Sequence, residues 1–275
     1  MSKTPTSGAV SETEVSAAAR DFSVQDRVVL VTGSGQGIGR ELVRQFAAAG
    51  AIAIVADLNG GKAEAVALEI TSAGGRANAL TVDVSDKASV DAMAAAVVAE
   101  HGRIDVLVNN ASMFSSIKKR PFDEIPPHEW QQVMDVNING VFFCSSAVAS
   151  IMRRQEFGRI INISSASVHR GTKNYLHYVT SKSALIGMTN SLARELGPHG
   201  VTANCVRPGT VATEVAERVA SLTPDVLRRN IDLQCIPRTI VPSDLAGITM
   251  FLASPAASFI TGQTIGCDGG YTHNF

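Results

Sequence analysis

The chain has 275 residues, 45% hydrophobic and 18% charged, with a formal net charge of −1. That is apolar enough for one large core, and it gives no electrostatic ground for a nucleic-acid or anionic-membrane partner. The four cysteines stand apart with no CxxC and no Cys/His cluster, which speaks against zinc and for a reducing, cytoplasmic compartment.

Residues 1–24 open polar, small and partly acidic, without the basic start and apolar core of a signal peptide. They are expected to form a flexible extension ahead of a single catalytic domain over 25–275. From residue 27 onward, apolar runs alternate with amphipathic stretches. Strands are expected at 27–32, 51–57, 77–82, 106–110, 159–164 and 201–208. Helices are expected at 37–49, about 60–73, about 86–100, 128–152 and about 175–196. Strands that are apolar throughout and alternate with helices imply an α/β fold, a doubly wound parallel sheet covered on both faces. In such sheets ligands bind at the carboxyl ends of the strands. No apolar run is read as a membrane span. The stretch 214–241 breaks the rhythm with Pro224 and Pro237. Two readings fit it: a mobile helical flap over the site, or a peripheral helical pair.

"TGSGQGIG" (32–39) lies between the first strand and the first helix. Gly33 permits a tight turn, Gly37 a close approach of backbone to phosphate, and Gly39 close packing of helix on strand. Free N–H groups at the helix start then face a pyrophosphate. The second strand ends in Asp57, eighteen residues after Gly39, where a carboxylate can accept hydrogen bonds from both ribose hydroxyls of an adenosine. Together these point to a dinucleotide. "YVTSK" (178–182) puts a phenol and an ammonium one helical turn apart. An unperturbed phenol, with a pKa of about 10, is a poor base at neutral pH. A neighbouring cation is expected to lower it.

The loop has the spacing TGxxxGxG, and with it come "DV" (83–84), "NNAS" (109–112), "VNING" (136–140), "NISS" (162–165), "YVTSK", "RPGTVAT" (207–213) and "TGQTIGCDGGY" (261–271). In these motifs and their order the chain resembles the short-chain dehydrogenase/reductase family over about 25–272. The resemblance implies a Rossmann-type fold and the catalytic tetrad Asn137, Ser165, Tyr178 and Lys182. Tyr178 would carry the proton during hydride transfer, and Lys182 would tune it and hold the ribose. Ser165 would donate to the substrate oxygen, and Asn137 would anchor a water leading to Lys182. It implies NAD as cofactor, held by Gly33, Gln36, Gly37, Ile38 and Gly39 in the loop and by Asp57 and Leu58 at the adenosine. Asp83 and Val84 would hold the adenine edge. Asn109, Asn110 and Ala111 would line the cofactor, and Pro208, Gly209, Val211 and Thr213 would hold the nicotinamide carboxamide. The family often has glycine where Ser112 stands.

The expected activity is interconversion of a secondary alcohol, or a related carbinol, with its carbonyl. The rivals are a 3-oxoacyl-[acyl-carrier-protein] reductase and a catalytically silent NAD-binding sensor or scaffold. Asp57 is expected to repel the extra phosphate of NADP. Lys62, on the following helix, is expected to point into solvent. His169, Arg170 and His177 are candidate pocket residues or structural histidines and arginine. "KKR" (118–120) reads as a solvated loop, with an anionic-substrate pocket there or at Arg228 and Arg229 as the lesser alternative. All four cysteines read as core residues. The family and the apolar helix "VFFCSSAVASIM" (141–152) suggest a homotetramer.

Overall fold

The computed structural model describes residues 21–219 and 221–273. The expected N-terminal extension therefore lies, but for its last four residues, outside the described residues. Those four pack on the body. The Ala256 N–H donates to the Asp21 carbonyl, and Val24 is buried in the core.

The element order is β1 (Val28–Thr32), α1 (Gly37–Ala48), β2 (Ile52–Asp57), α2 (Gly60–Ser72), β3 (Arg76–Thr81), α3 (Lys87–His101) and β4 (Val106–Asn109). It continues with α4 (Pro127–Met134), α5 (Gly140–Gln155), β5 (Gly158–Ile163), α6 (Ser167–Arg170), α7 (Leu176–Leu196), β6 (Val201–Pro208), α8 (Pro224–Asp232), α9 (Ser243–Ala253) and β7 (Thr264–Cys267). The strands form one sheet in the order β3-β2-β1-β4-β5-β6-β7, parallel at every pairing. Strand order reverses beside β1, whose two neighbours are β2 and β4. The carboxyl ends of β1 and β4 thus diverge into opposite layers and leave a crevice between them.

Both faces of the sheet are dry. Along β1, Val29 and Val31 join one core with Leu42 and Phe46 of α1 and Leu252 of α9. Val28 and Leu30 join the other with Val148 and Met152 of α5 and Leu196 of α7. This period-two division explains why β1, β4, β5 and β6 are buried along their whole length. Some helices begin where a side chain accepts a free N–H group: Asn59 caps α2 through the Lys62 N–H, and Asp86 caps α3 through that of Ala88.

The helix expected over 128–152 is three pieces. α4 passes into a π-helical turn, Asp135–Asn139, before α5. A π turn inserts one residue into the ladder and redirects the side chains within it, here Asn137, which is fully buried. By length and composition the run Pro127–Gln155 is long and apolar enough to cross a membrane, contrary to the sequence reading. Here Val141, Cys144, Val148 and Met152 of α5 are buried as in the core helix of a globular domain. Neither α9 nor β7 was anticipated. β7 is a four-residue edge strand, too short for a period to show. Cys144 and Cys205 are core residues as expected; Cys267 is half-buried and Cys235 exposed, because the latter lies on the surface after α8.

Candidate active site

The crevice is a cavity of about 700 Å³ running from the β1–α1 turn to the segment after β6. Its adenosine-side wall contains Gly33, Gln36, Gly37, Ile38, Asp57, Leu58, Asp83, Val84, Asn110 and Ala111, and further along Pro208, Gly209, Val211 and Thr213. Ser165, Tyr178 and Lys182 line the same space. Gly39, Asn109 and Asn137 do not, and each acts from behind.

Gly39 is where the turn closes. A Cβ there would lie 2.5 Å from Asn110 Nδ2 and would strike the Gly33 carbonyl. Asn110 Nδ2 donates to the carbonyls of both Thr32 and Gly33, each at 2.9 Å. Asn110 thus holds the glycine turn against the end of β4. Asn109 faces the other way, donating to Ser145 and Asn162 inside the helix layer; successive side chains of a strand point to opposite faces. Gly37 has a φ of +57°, and its N–H donates to Glu214 Oε1 at 2.8 Å. The loop therefore already holds an anionic oxygen at the helix start, as a phosphate-binding turn should.

The Asp57 carboxylate accepts from the Gly35 and Asn59 N–H groups, both at 2.9 Å. Leu58 beside it is exposed. Lys62 does not point into solvent. It reaches back over the loop, donates to Gln36 Oε1 at 2.7 Å and lines the cavity. Arg218 approaches the same oxygen at 3.5 Å. A residue two positions into a helix that follows a strand end lies over the preceding turn, so a long side chain there can fold back on it. The Asp83 carboxylate is partly used, accepting from the Ser85 N–H and hydroxyl.

Tyr178 and Lys182 lie in the first two turns of α7 and are buried. Tyr178 stacks on Tyr175 with ring centroids 4.7 Å apart and touches Phe114 at 5.5 Å. The Lys182 ammonium donates to the Ile163 carbonyl at 2.8 Å and lies 5.9 Å from the Tyr178 ring centre. Burial governs both groups. It pushes the phenol up to about 12, a rise that the Ser165 hydroxyl opposes. It pushes Lys182 down to about 8. The expected lowering of the phenol by its neighbour is absent here, because the ammonium is turned to a backbone carbonyl and desolvation dominates.

Asn137 bonds directly to Met113 and Ser181. Its amide accepts from the Met113 N–H at 2.8 Å and donates to the Met113 carbonyl at 3.2 Å and to Ser181 Oγ at 3.0 Å. It fastens the loop after β4 to the helix turn that carries Tyr178 and Lys182. His177 is buried against Glu129 at 3.0 Å, a carboxylate that also pairs with Arg120. His169 bonds Arg207. Neither histidine lines the cavity, and nor do Arg228 and Arg229. Lys119 and Arg170 do.

The segment 214–241 lies over the cavity, contributing Val215, Ala216, Val219, Leu222, Val226, Asn230 and Gln234, so the peripheral-pair reading is set aside. The loops near 112–120 and 165–175, from which the sequence leads one to expect a substrate pocket, supply Met113, Phe114, Thr172 and Tyr175 to the lining. Tyr271, in the glycine-rich stretch after β7, was not singled out as a lining residue.

Three comparisons bear on this geometry. The family model described as Enoyl-(Acyl carrier protein) reductase matches residues 33–272. Among curated proteins, the chain is similar to the short-chain reductase protein NovJ of Streptomyces niveus, 40% identical over 90% of this chain and 94% of that one. Among solved structures, a gluconate 5-dehydrogenase from Burkholderia cenocepacia in complex with NADP and tartrate superposes with a TM-score of 0.87. It is 34% identical, covering 94% of this chain and 100% of that one. A 7α-hydroxysteroid dehydrogenase complexed with NADH and 7-oxo glycochenodeoxycholic acid superposes with a TM-score of 0.86. It is 31% identical, covering 90% of this chain and 95% of that one.

The turn gives a direct test. Gly39→Ala forces a methyl into the Asn110 clamp and should destabilise the protein by about 1–3 kcal/mol. Gly187→Ala, on α7 with nothing within 4 Å of the new methyl, should be neutral or stabilising by up to about 1 kcal/mol. Thermal or denaturant unfolding of both variants reads the difference; equal stability of the Gly39 variant and the parent would refute the close-approach account.

Proposed function

Since the chain belongs to the short-chain dehydrogenase/reductase family, we propose that it is an NAD-dependent oxidoreductase interconverting a secondary alcohol, or a related carbinol, and its carbonyl. The observation that carries this is the buried Tyr178 set between Ser165 and Lys182 on one cavity whose far wall is the glycine turn.

The residues present fit a dinucleotide. The turn offers the N–H of Gly37 to an anion; Asp57 lies at the end of β2 for the ribose; Asp83 and Val84 would hold the adenine and Pro208, Gly209, Val211 and Thr213 the carboxamide. The nicotinamide, when bound, supplies or accepts the hydride. The chain's own residues handle the proton. With its pKa pushed up to about 12, the phenol of Tyr178 keeps its hydrogen at neutral pH and can deliver it to a developing alkoxide. The Ser165 hydroxyl donates to the same oxygen as charge accumulates there. The Lys182 ammonium stabilises the phenolate left behind. In the oxidative direction Tyr178 must first lose its proton, so that direction gains as pH rises. The aromatic stack of Phe114, Tyr175 and Tyr178 excludes water from the proton path and fixes the ring.

The reading extends to a homotetramer, supported by Phe142, which stands 55% exposed on α5, and to a cytoplasmic enzyme, supported by four cysteines free of disulfides. Sedimentation should give about four times the 28.9 kDa chain mass, and Phe142→Asp should lower it; a monomeric parent would remove this part of the reading.

Tyr178→Phe keeps the ring and removes the proton. Its kcat should fall by roughly two to four orders of magnitude, with NADH binding retained by fluorescence titration. Near-normal turnover would sink the mechanism. In the parent, carbonyl reduction should hold a plateau below a pH of about 8 and decline above it as Lys182 loses its proton. Alcohol oxidation should climb at higher pH, as Tyr178, pushed up to about 12, begins to lose its proton. Initial rates in both directions across the pH range check the sign.

Cofactor choice rests on Asp57. A carboxylate there gains two ribose hydroxyls in NAD and meets a phosphate in NADP. Lys62 and Arg218, drawn to Gln36, soften the repulsion. We expect NAD to be preferred in kcat/KM by about tenfold to a hundredfold. Asp57→Ala should erode the preference and Lys62→Ala should widen it. Equal or better use of NADP by the parent would overturn this assignment, and would favour the 3-oxoacyl-[acyl-carrier-protein] reductase reading.

A further inference from the structure

Beyond Tyr178, the wall of the cavity changes character. The carboxylates that line the cavity, among the described residues, are Asp57 and Asp83, both at the adenosine end. The substrate end has none and instead carries two cations, Lys119 and Arg170. They come from different elements, Lys119 from the loop after β4 and Arg170 from the end of α6, and each rests on a tyrosine ring. The Lys119 ammonium is 5.4 Å from the centre of Tyr175, the ring stacked on Tyr178. The Arg170 guanidinium is 4.7 Å from the centre of Tyr271. Neither forms an ion pair among the described residues. The contrast with their neighbour is direct: Arg120 is neutralised by Glu129 at 2.9 Å, while Lys119 faces the cavity.

Arg170 is also oriented. Its Nη1 donates to Asn230 Oδ1 at 3.4 Å, and Asn230, buried on α8, donates from Nδ2 to Thr210 Oγ1 at 3.1 Å. The segment over the cavity therefore holds the guanidinium in place. Partial burial and the charge of Arg170 hold the Lys119 ammonium below its ordinary range. Two like charges share a partly desolvated wall without a counter-ion, an arrangement that an anion between them relieves.

We propose that Lys119 and Arg170 select a substrate with an anionic group, a carboxylate or a phosphate, held in the same cavity as the carbon that reacts at Tyr178. This rests on the reading of Tyr178 as proton carrier and narrows its substrate to hydroxy acids or hydroxy phosphates and their oxo counterparts. The Arg170 fork takes two oxygens of such a group, and Lys119 adds a point charge from the other side.

The test uses matched substrates. Acetoacetate and levulinate are compared with their methyl esters, and dihydroxyacetone phosphate with dihydroxyacetone, on the full-length parent and on Lys119→Met, Arg170→Met and the double variant. In at least one pair the parent should prefer the anion by about tenfold or more in kcat/KM. That ratio should fall towards one in the double variant. Which pair shows it names the anion. Calorimetric titration with succinate and with inorganic phosphate supplies a reading free of turnover: one of them should bind the parent and neither the double variant. Equal use of acid and ester, preference surviving in the double variant, or no binding of either probe to the parent would each overturn the proposal. Tyr178→Phe run on the best substrate separates the two readings. An active Tyr178→Phe would sink the proton-carrier reading itself; an inactive one beside a flat anion ratio would sink only the anion selection.

Discussion

The carboxyl edge of the sheet hangs on the amide of Asn110. By donating to the carbonyls of Thr32 and Gly33, it ties the end of β4 to the turn after β1, across the point where the parallel order reverses. Those carbonyls stand where β1 ends, and a buried carbonyl left unpaired there would be costly. The amide satisfies both, and the cost of a methyl at Gly39 follows from how closely the two segments lie. With the turn fixed there, Gln36, Gly37 and Ile38 open onto the cavity, and Ala111, packed beside Gly33, lines it with them. Asn137 repeats the device one layer deeper, joining Met113 to Ser181. Two asparagine side chains thus hold the glycine turn, the β4 loop and the helix that carries Tyr178 and Lys182 in one register.

Burial sets the electrostatics of that register. In water a phenol and an ammonium four residues apart would both be protonated at neutral pH. In the closed wall between β5 and α7 each is driven towards its neutral form, the phenol up and the amine down. The two values move apart, the phenol to about 12 and the amine to about 8, so the phenol is the group that holds its proton more firmly. The cation alone does not produce this; desolvation does, and the Ser165 hydroxyl trims it.

Much of this was legible in the sequence, because the responsible signals are local. The six strand-like runs, a glycine turn and a one-turn Tyr–Lys spacing each declare themselves within a few residues. β7 did not, since four residues at a sheet edge carry no period. The π turn did not, since "VNING" is compatible with an unbroken helix until Asn137 has to reach Met113 and Ser181. Lys62 was misplaced for a related reason: whether a long side chain goes outwards or folds back over a turn depends on Gln36, a partner twenty-six residues earlier. The substrate end was the least readable. Lys119, Arg170, Asn230 and Tyr271 come from four separate segments, and only the folded chain makes them one wall.

Glu214 gives the cradle at Gly37 a tenant of its own. A tethered carboxylate is present at the high effective concentration of an intramolecular group, so a phosphate arriving from solution competes with the protein rather than with water. Its observed affinity is the intrinsic one scaled by the fraction of time the tether is away. The same displacement would free the strap that bears Val215, whose side chain crowds Gly37, and that strap is continuous with the roof of the cavity. Occupancy at one end of the crevice would then bear on the chain covering the other, through the single acidic side chain that now holds the Gly37 N–H.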